Sequence, residues 1–373
     1  MSKKRILIAS DSFKGSLSSL DICDLFKSKV KDKDEYSLKC VPIADGGEGS
    51  LVAISNIIDG DFVNLEVTDL YFKKRKVQFF VTKEDAYIEC ASCVGLTLAH
   101  RHNDPGKVTT YGLGEQIKKA LELGKKNIYI FLGGSASNDG GAGLASALGV
   151  HFYNEHNEVF VPTGLTLKDV SHIDTSLCDV LLKNINLYVL TDVNSPLYGI
   201  EGAAWKFSKQ KGASNNEMRE LDYGLTHFAN IVYKDTGIDA NVPGAGAAGG
   251  LGGGIYSLLH GHIKSGISTL LELIDFEKLV EQADYVVSGE GRLDKQTLDG
   301  KVIDGIAKVC LRHNKALYLI VGISNIPHEE IKQIYPCIKY VYETNEKHLP
   351  FRIIKWRSKI DYLRKIDRFL KNI

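Results

Sequence analysis

The most constraining feature of the sequence is a strand and helix rhythm that occurs at both ends of the chain and changes in its middle. Near the start, strand-like and helix-like segments alternate at residues 5–9, 16–31, 37–43 and 48–58. Near the end, they alternate at residues 284–288, 302–313, 316–321, 328–334 and 338–341. The strand-like segments are continuous apolar runs, which are typical of a parallel sheet covered by helices on both faces.

The middle of the chain has a different pattern. Three strand-like stretches separated by short polar turns lie at residues 62–67, 74–82 and 86–90. The short turns predict antiparallel pairing of these stretches. A helix and two buried strands follow at residues 112–124, 127–132 and 186–190. We therefore predict an α/β protein with a discontinuous open parallel-sheet domain, residues 1–61 plus 278–373, and an inserted mixed α/β domain, residues 62–277.

The charge of the whole chain is balanced, since 46 lysine and arginine residues oppose 46 aspartate and glutamate residues. No general attraction to nucleic acid or to an anionic membrane is expected, so the partner is predicted to be a small molecule. The longest apolar run, residues 316–323, is shorter than the roughly 20 residues that a membrane-spanning helix needs. The N-terminal apolar run is too short for a signal peptide. We predict a cytoplasmic protein.

Two glycine-rich segments lie in the inserted region: the first glycine segment, residues 133–143, and the second glycine segment, residues 244–254. Both lead into helix-compatible sequence, so backbone N–H groups at a helix N-terminus could face a phosphate. Close packing is the alternative interpretation. Gly244, Gly246 and Gly249 match the pattern G-x-G-x-x-G, but no hydrophobic strand precedes them, which argues against NAD binding. No P-loop motif occurs.

Four aspartates follow predicted strands, and cationic residues lie near them in the sequence. The aspartates are Asp11, Asp45, Asp192 and Asp294, and the cationic candidates are Lys14, Arg292, Lys211 and Lys301. Ligands of open α/β sheets bind at the carboxyl ends of the strands. Each aspartate alone is equally well explained as a turn former or a helix cap. Together, carboxylates that hold Mg²⁺ or accept a hydroxyl proton, and cations that neutralise phosphate, indicate phosphoryl transfer.

Short motifs occur in a fixed order along the chain. They lie at residues 11–14, 44–49, 109–112, 133–143, 192–193, 196–197, 201–204, 210–213, 243–252, 289–294, 296–297 and 300–301. In this order they resemble the bacterial type I glycerate kinases, also called glycerate 2-kinases. The resemblance implies ATP- and Mg²⁺-dependent phosphorylation of D-glycerate, typically to 2-phosphoglycerate. It also implies a Rossmann-like (flavodoxin-like) domain that carries an inserted α/β domain.

We expect glycerate to lie in the cleft between the two domains, with its carboxylate bound by Arg292 or Lys14. Asp45 and Asp192 are the candidates for the general base and the Mg²⁺ ligand, and the two roles stay open between them. The other predicted substrate-binding residues are Ser135, Asn138, Asp139 and Asp294. The residues predicted to bind nucleotide phosphates are Gly244, Gly246, Gly249, Gly250, Lys211 and Lys301. Which glycine segment holds ATP is left open.

The chain departs from the usual family residues at several positions. The family usually has proline at Ser10 and Ile303, asparagine at Ser195, and glycine-proline at residues 208–209. Ser195 shortens a side chain near Asp192, which would weaken a substrate contact. The basic tail, residues 347–373, is atypical and predicts a solvated amphipathic helix, with contact to a partner as the alternative.

Two other functions are weighed. An NAD(P)-dependent dehydrogenase would use the G-x-G-x-x-G match, and a non-catalytic sugar-acid sensor would account for the departures at Ser195 and in the tail. The oligomeric state is left open, with a homodimer as one option.

Overall fold

The computed structural model describes residues 3–13, 15–31, 33–43, 49–100, 103–294, 297, 300–345 and 349–373. The internal contacts divide the chain into two compact units. The first unit comprises the described residues within Met1–Asp45, Val52–Ile58 and Ile267–Ile373. The second unit comprises those within Gly46–Leu51 and Asp59–Gly266. The domain limits given by the sequence stay a prediction.

The strands, in chain order, are β1 (Lys4–Ile8), β2 (Tyr36–Cys40), β3 (Asp61–Thr68), β4 (Lys74–Val81), β5 (Asp85–Glu89), β6 (Asn127–Phe131), β7 (His151–Tyr153), β8 (Val159–Phe160), β9 (His172–Asp174), β10 (Asn186–Leu190), β11 (His262–Lys264), β12 (Tyr285–Ser288), β13 (Arg292–Leu293), β14 (Leu317–Val321), β15 (Ile323–Ser324) and β16 (Ile338–Glu343).

The α-helices are α1 (Ser19–Val30), α2 (Ser50–Ser55), α3 (Ala91–Val94), α4 (Tyr111–Glu122), α5 (Ala142–Ala147), α6 (Ser176–Leu181), α7 (Ala203–Phe207), α8 (Asn215–Thr236), α9 (Ala247–Leu258), α10 (Gly266–Leu273), α11 (Phe276–Gln282), α12 (Val302–Arg312), α13 (His328–Ile334) and α14 (Phe351–Lys371). Short 3-10 helices lie at Leu96–Leu98, Leu167–Asp169 and Lys209–Lys211. No helix among the described residues is both long and apolar enough to cross a membrane.

The first unit is built on a parallel sheet with the strand order β16-β14-β12-β1-β2. Every pair in it is parallel. Numbered by their order along the chain, its strands follow the flavodoxin-like order 2-1-3-4-5 of open α/β sheets. The strands of this sheet come from the apolar runs at both chain ends. Helices cover both faces of such a sheet, so apolar and polar residues do not alternate along its strands. The predicted fold class is confirmed.

The C-terminal helix α14 belongs to the core of the first unit. Tyr362, Ile366 and Phe369 are fully buried in it. The Phe369 ring lies 5.0 Å from the ring of Tyr318 on β14 and 6.2 Å from that of Phe26 on α1, measured between ring centroids. The sequence predicted an amphipathic helix in the tail, and the structure has one, but its apolar face is packed in the core and is not solvated. Contact of the tail with a partner stays a prediction.

The second unit is built on a mixed sheet with the order β11-β10-β6-β5-β4-β3. β3, β4 and β5 pair antiparallel, as predicted, and the other pairs are parallel. A small antiparallel sheet, β8-β7-β9, and the long helix α8 were not predicted. The start of α8 carries a readable signal, because Ser214 and Glu217 form a capping box there.

The two glycine segments pack backbone against backbone. The N–H group of Gly140 donates to the carbonyl oxygen of Gly249 at 3.1 Å. A Cβ atom on Gly249 would lie 2.0 Å from the carbonyl oxygen of Ser137, and one on Gly254 would lie 2.1 Å from that of Gly140. Gly249 also has a φ of +73°, at a kink inside α9. The packing alternative therefore has direct structural support.

We expect Gly249→Ala to be more destabilising than Gly124→Ala. Both glycines have a φ of +73°, but a Cβ atom on Gly124 meets nothing within 4 Å. The Gly124 variant should lose about 1 kcal/mol of unfolding free energy for its left-handed backbone. The Gly249 variant should lose about 1 to 3 kcal/mol more, because the added methyl group overlaps a carbonyl oxygen. Urea unfolding measures both, and equal losses would show that the packing is not tight.

Candidate active site

The first unit has a cavity of about 600 Å³ at the carboxyl edge of its sheet. Its lining includes Asp11, which follows β1, and Glu290, which follows β12. β1 and β12 are neighbours at the point where the strand order reverses, and open α/β sheets bind ligands at such a point. We call this space the switch-point cavity.

Three of the predicted site residues lie together in the switch-point cavity: Arg292, Asp294 and Lys301. Asp294 has a structural partner as well, since one of its carboxylate oxygens accepts a hydrogen bond from the N–H of Thr297 at 3.2 Å. Arg292 lies on β13 with an exposed side chain, and Lys301 directly precedes α12. The cavity therefore presents cations and carboxylates side by side.

Glu290 is a functional candidate that the sequence analysis missed. Its side chain is only 8% exposed, and Oε1 has no hydrogen-bond partner within the part of the chain that the structure describes. Burial raises the pKa of its carboxyl group to about 7, opposed by a hydrogen bond from Thr297. The negative charge of Asp11 raises this pKa further. Its place directly after a buried strand is the signal that singled out the four aspartates.

The second unit gathers polar groups at the carboxyl edge of its parallel strands. Asp192 follows β10, and its half-buried carboxylate accepts a hydrogen bond from the hydroxyl group of Ser265, which follows β11, at 2.8 Å. The first glycine segment follows β6 at the same edge. Asp192 therefore lies at the end of a strand, where the sequence predicted it.

Lys211 and Ser135, predicted for different ligands, are neighbours in the second unit. The Lys211 ammonium group donates to Ser135 Oγ at 3.0 Å and to the carbonyl oxygen of Ser137 at 2.7 Å. Only 4% of this lysine is exposed. Burial lowers the pKa of its ammonium group to about 8. A buried cation from outside the first glycine segment thus lies beside the polar residues of that segment.

Three buried polar residues contact the second glycine segment, and we call them the orphan polar cluster: Ser137, Asn138 and Ser195. Both hydroxyl oxygens and both polar atoms of the Asn138 amide have no hydrogen-bond partner among the described residues. Ser137 and Asn138 contact Gly249, and the carbonyl oxygen of Ser195 accepts a hydrogen bond from Gly246 at 2.9 Å. Unpaired buried polar atoms are costly, at about 1 to 3 kcal/mol each, so they indicate a polar ligand.

Asp139 has a different environment from the one predicted for it. Its fully buried carboxylate accepts hydrogen bonds from the N–H and hydroxyl groups of Thr110, both at 2.8 Å, and from the N–H groups of Gly141 and Gly143. Burial raises the pKa of this carboxyl group. An internal carboxylate therefore occupies the start of α5, where an external anion was expected. The substrate-binding role of Asp139 stays a prediction.

The remaining predicted residues fall into two sets. Gly244, Gly246, Gly249 and Gly250 are buried in the second glycine segment, where their packing is explained by contacts with neighbouring chain segments, and phosphate binding by them stays a prediction. Lys14 and Asp45 lie outside the described residues. Within the described ranges, no group of three or more His, Cys, Asp or Glu side chains is placed to hold a metal ion.

The fold and these polar groups define an α/β protein with ligand-binding features at the carboxyl edges of both sheets. Residues 6–352 match the model of the Glycerate kinase family. The chain is 40% identical over 313 residues to the glycerate kinase of Bacillus cereus, covering 82% of this chain and 81% of that protein. It is 36% identical over 323 residues to the glycerate 2-kinase of Escherichia coli, covering 85% of each.

A solved structure is similar over the whole length. The glycerate kinase 2 of Salmonella typhimurium LT2 has a TM-score of 0.83 and 31% sequence identity, covering 100% of this chain and 98% of that one. The chain belongs to the glycerate kinase family. The resemblance given by the ordered motifs is thereby confirmed, and so is the predicted enzyme class.

We expect the stability of the protein to fall between about pH 4.5 and pH 7 through Glu290. In this window the unfolded chain ionises at its ordinary pKa of 4.5, whereas the folded carboxyl group ionises only at about 7. The free energy of unfolding should therefore fall by up to about 3 kcal/mol as the pH rises. Glu290→Gln removes this ionisation. The free energy of unfolding of the variant should therefore rise relative to that of the wild type between pH 5 and pH 8.

Urea unfolding of both proteins across this pH range measures the effect. The matched control is Glu330→Gln, since Glu330 is exposed in the same unit. If the free energy of unfolding of Glu290→Gln depends on pH as that of the wild type and the control does, burial does not hold the carboxyl group in its protonated form.

Proposed function

We propose that the protein transfers the γ-phosphoryl group of ATP to D-glycerate and releases 2-phosphoglycerate. Membership of the glycerate kinase family supports the reaction class. The glycerate 2-kinase name of the relative from Escherichia coli supports the product. ATP and Mg²⁺ as cofactors, a cytoplasmic location and an active site in a cleft between the domains belong to the same proposal.

The orphan polar cluster carries the proposal for the substrate. A hydroxy acid offers carboxylate oxygens to a buried amide N–H group and hydroxyl groups to a buried amide oxygen, so one glycerate molecule would satisfy both ends of Asn138. The buried hydroxyl groups of Ser137 and Ser195 would offer two further hydrogen-bonding groups.

Lys211 would complement the negative charge of the substrate. Two hydrogen bonds hold its ammonium group at the first glycine segment. From this position a small movement would bring the ammonium group to an anion bound beside the segment. An anion close by would raise the pKa of this ammonium group from about 8 and keep it charged at neutral pH. We therefore assign it to charge neutralisation during phosphoryl transfer.

Asp192 is the described candidate for the general base. Its carboxylate is half-buried and oriented by the Ser265 hydroxyl group, and such a carboxylate accepts the proton of an attacking hydroxyl group. Asp45 remains the second candidate. Mg²⁺ is usually bound by one or two carboxylates together with substrate phosphates, and Asp45 and Asp192 are its candidate ligands in the sequence. When bound there, Mg²⁺ would neutralise charge on the transferred phosphoryl group.

The other two functions have no specific support in the structure. The G-x-G-x-x-G match lies in a packed segment, and the described residues 237–243 before it form no strand, so the dinucleotide context is missing. A non-catalytic sensor would keep the orphan polar cluster, but it would not turn over ATP.

Phosphorus NMR of the purified protein with ATP, Mg²⁺ and D-glycerate tests the reaction. We expect ADP and 2-phosphoglycerate as products. Asp192→Asn should lower kcat by about 10²- to 10⁴-fold, because a missing base costs that much. The control is Asp61→Asn, on the exposed end of β3. Glycerate binding without ADP would support the sensor, and a fully active Asp192→Asn would remove Asp192 from the chemistry.

Asn138→Ala tests the substrate site separately. The variant should raise KM for D-glycerate by about 10-fold or more, since the amide accounts for one or two hydrogen bonds worth about 1 to 1.5 kcal/mol each. KM for ATP should change less than twofold. Asn127→Ala, at the other end of the neighbouring strand β6, is the matched control. An unchanged KM for glycerate in Asn138→Ala would place the acid elsewhere.

A further inference from the structure

The switch-point cavity is far larger than glycerate. Its volume of about 600 Å³ lies within the range of about 300 to 1,000 Å³ that is usual for sites of drug-sized ligands. A three-carbon acid would fill only a small part of it. The cavity also contains the carboxyl groups of Asp11, Glu290, Asp294 and Asp361, which outnumber its cations Arg292 and Lys301. Glycerate alone is therefore too small to account for this space.

One wall of the cavity is apolar and partly aromatic. Phe13 and Leu17 contribute from the segment after β1, and Phe351 and Ile354 contribute from the first turn of α14. The Phe351 ring is seated on Gly15, where a Cβ atom would lie 2.9 Å from ring atom Cζ. This ring is nevertheless 57% exposed, so a large aromatic surface is held at the site without being used in the core. Flat aromatic ligands stack well on such a surface.

The cavity lining also includes polar side chains. Glu290 lines the cavity, and only 8% of it is exposed. Its Oε1 atom has no hydrogen-bond partner among the described residues. A buried carboxyl group of this kind is suited to the hydroxyl groups of a ribose. Arg292 and Lys301 line the same cavity and supply cations for phosphate groups.

We propose that the switch-point cavity is the nucleotide site of this enzyme and that it takes an adenine nucleotide. The base packs on Phe351 and Ile354, the ribose hydroxyl groups meet Glu290, and the phosphates extend toward Arg292 and Lys301. The proposal rests on the proposed function, because that function requires ATP. It moves the nucleotide from the second glycine segment, whose glycines are explained by packing, to the first unit.

The first test fills the cavity with a side chain. Ile354→Trp should weaken ATP binding by at least 10-fold, measured by calorimetry in the absence of glycerate. The matched control is Ile353→Trp, the neighbouring residue on α14, which is 42% exposed and does not line the cavity. It should change ATP affinity less than twofold. Glycerate affinity should change less than twofold in both variants.

The second test leaves the core untouched. Arg292→Ala, an exposed position, should weaken ATP binding by at least 10-fold but adenosine binding by less than twofold, because only ATP carries the phosphates. If Arg292→Ala instead weakens glycerate binding and leaves ATP affinity unchanged, the arginine binds the acid and the proposal is overturned. Unchanged ATP affinity in both Ile354→Trp and Arg292→Ala also overturns it.

The wild-type protein separates this proposal from the proposed function. If the wild-type protein forms no ADP from ATP and glycerate, the proposed function is wrong. The nucleotide-site proposal, which rests on that function, is then overturned too. A wild type that phosphorylates glycerate, while Ile354→Trp and Arg292→Ala bind ATP normally, contradicts the nucleotide site alone.

Discussion

The contact between the two glycine segments is the interaction on which the second unit depends. At Gly249, Gly250 and Gly254 the two backbones approach so closely that no side chain fits between them. This contact sets the positions of Ser137 and Asn138 from one segment, and Gly246 fixes Ser195 from the other side. The unpaired polar atoms of the orphan polar cluster are therefore held by backbone packing and not by their own hydrogen bonds. Such preorganisation reduces the ordering cost of ligand binding.

Three buried ionisable groups differ in how fully they are hydrogen-bonded within the protein. Asp139 is buried but receives four hydrogen bonds, so its carboxylate stabilises the start of α5 and the turn that carries Asn138. Lys211 is buried with two acceptors, and burial lowers its pKa to about 8. Glu290 keeps one oxygen unpaired, and burial raises its pKa to about 7. The hydrogen bonds of Asp139 are thus made within the protein, whereas Glu290 has an oxygen that makes none among the described residues.

Much of the fold could be predicted from the sequence because a parallel sheet covered on both faces leaves continuous apolar runs. Those runs indicated β1, β12, β14 and β16, and the strand ends then indicated Asp192. The mutual packing of the glycine segments could not be predicted, since the partners are remote in sequence and glycine has no side chain to signal a contact. Glu290 lies in the same motif as Arg292 and Asp294, but its burial and its unpaired Oε1 atom are visible only in the structure.

The position of α14 has a consequence for the order of folding during synthesis. The second unit consists almost entirely of one continuous stretch, Asp59–Gly266, so it can fold as soon as that stretch has left the ribosome. The first unit must wait, because β1 lacks its neighbour β12 and Phe26 lacks Phe369 until the last helix is made. The wall of the switch-point cavity at Phe351 and Ile354 also belongs to this helix. Nascent chains would therefore acquire the second unit first and the switch-point cavity last.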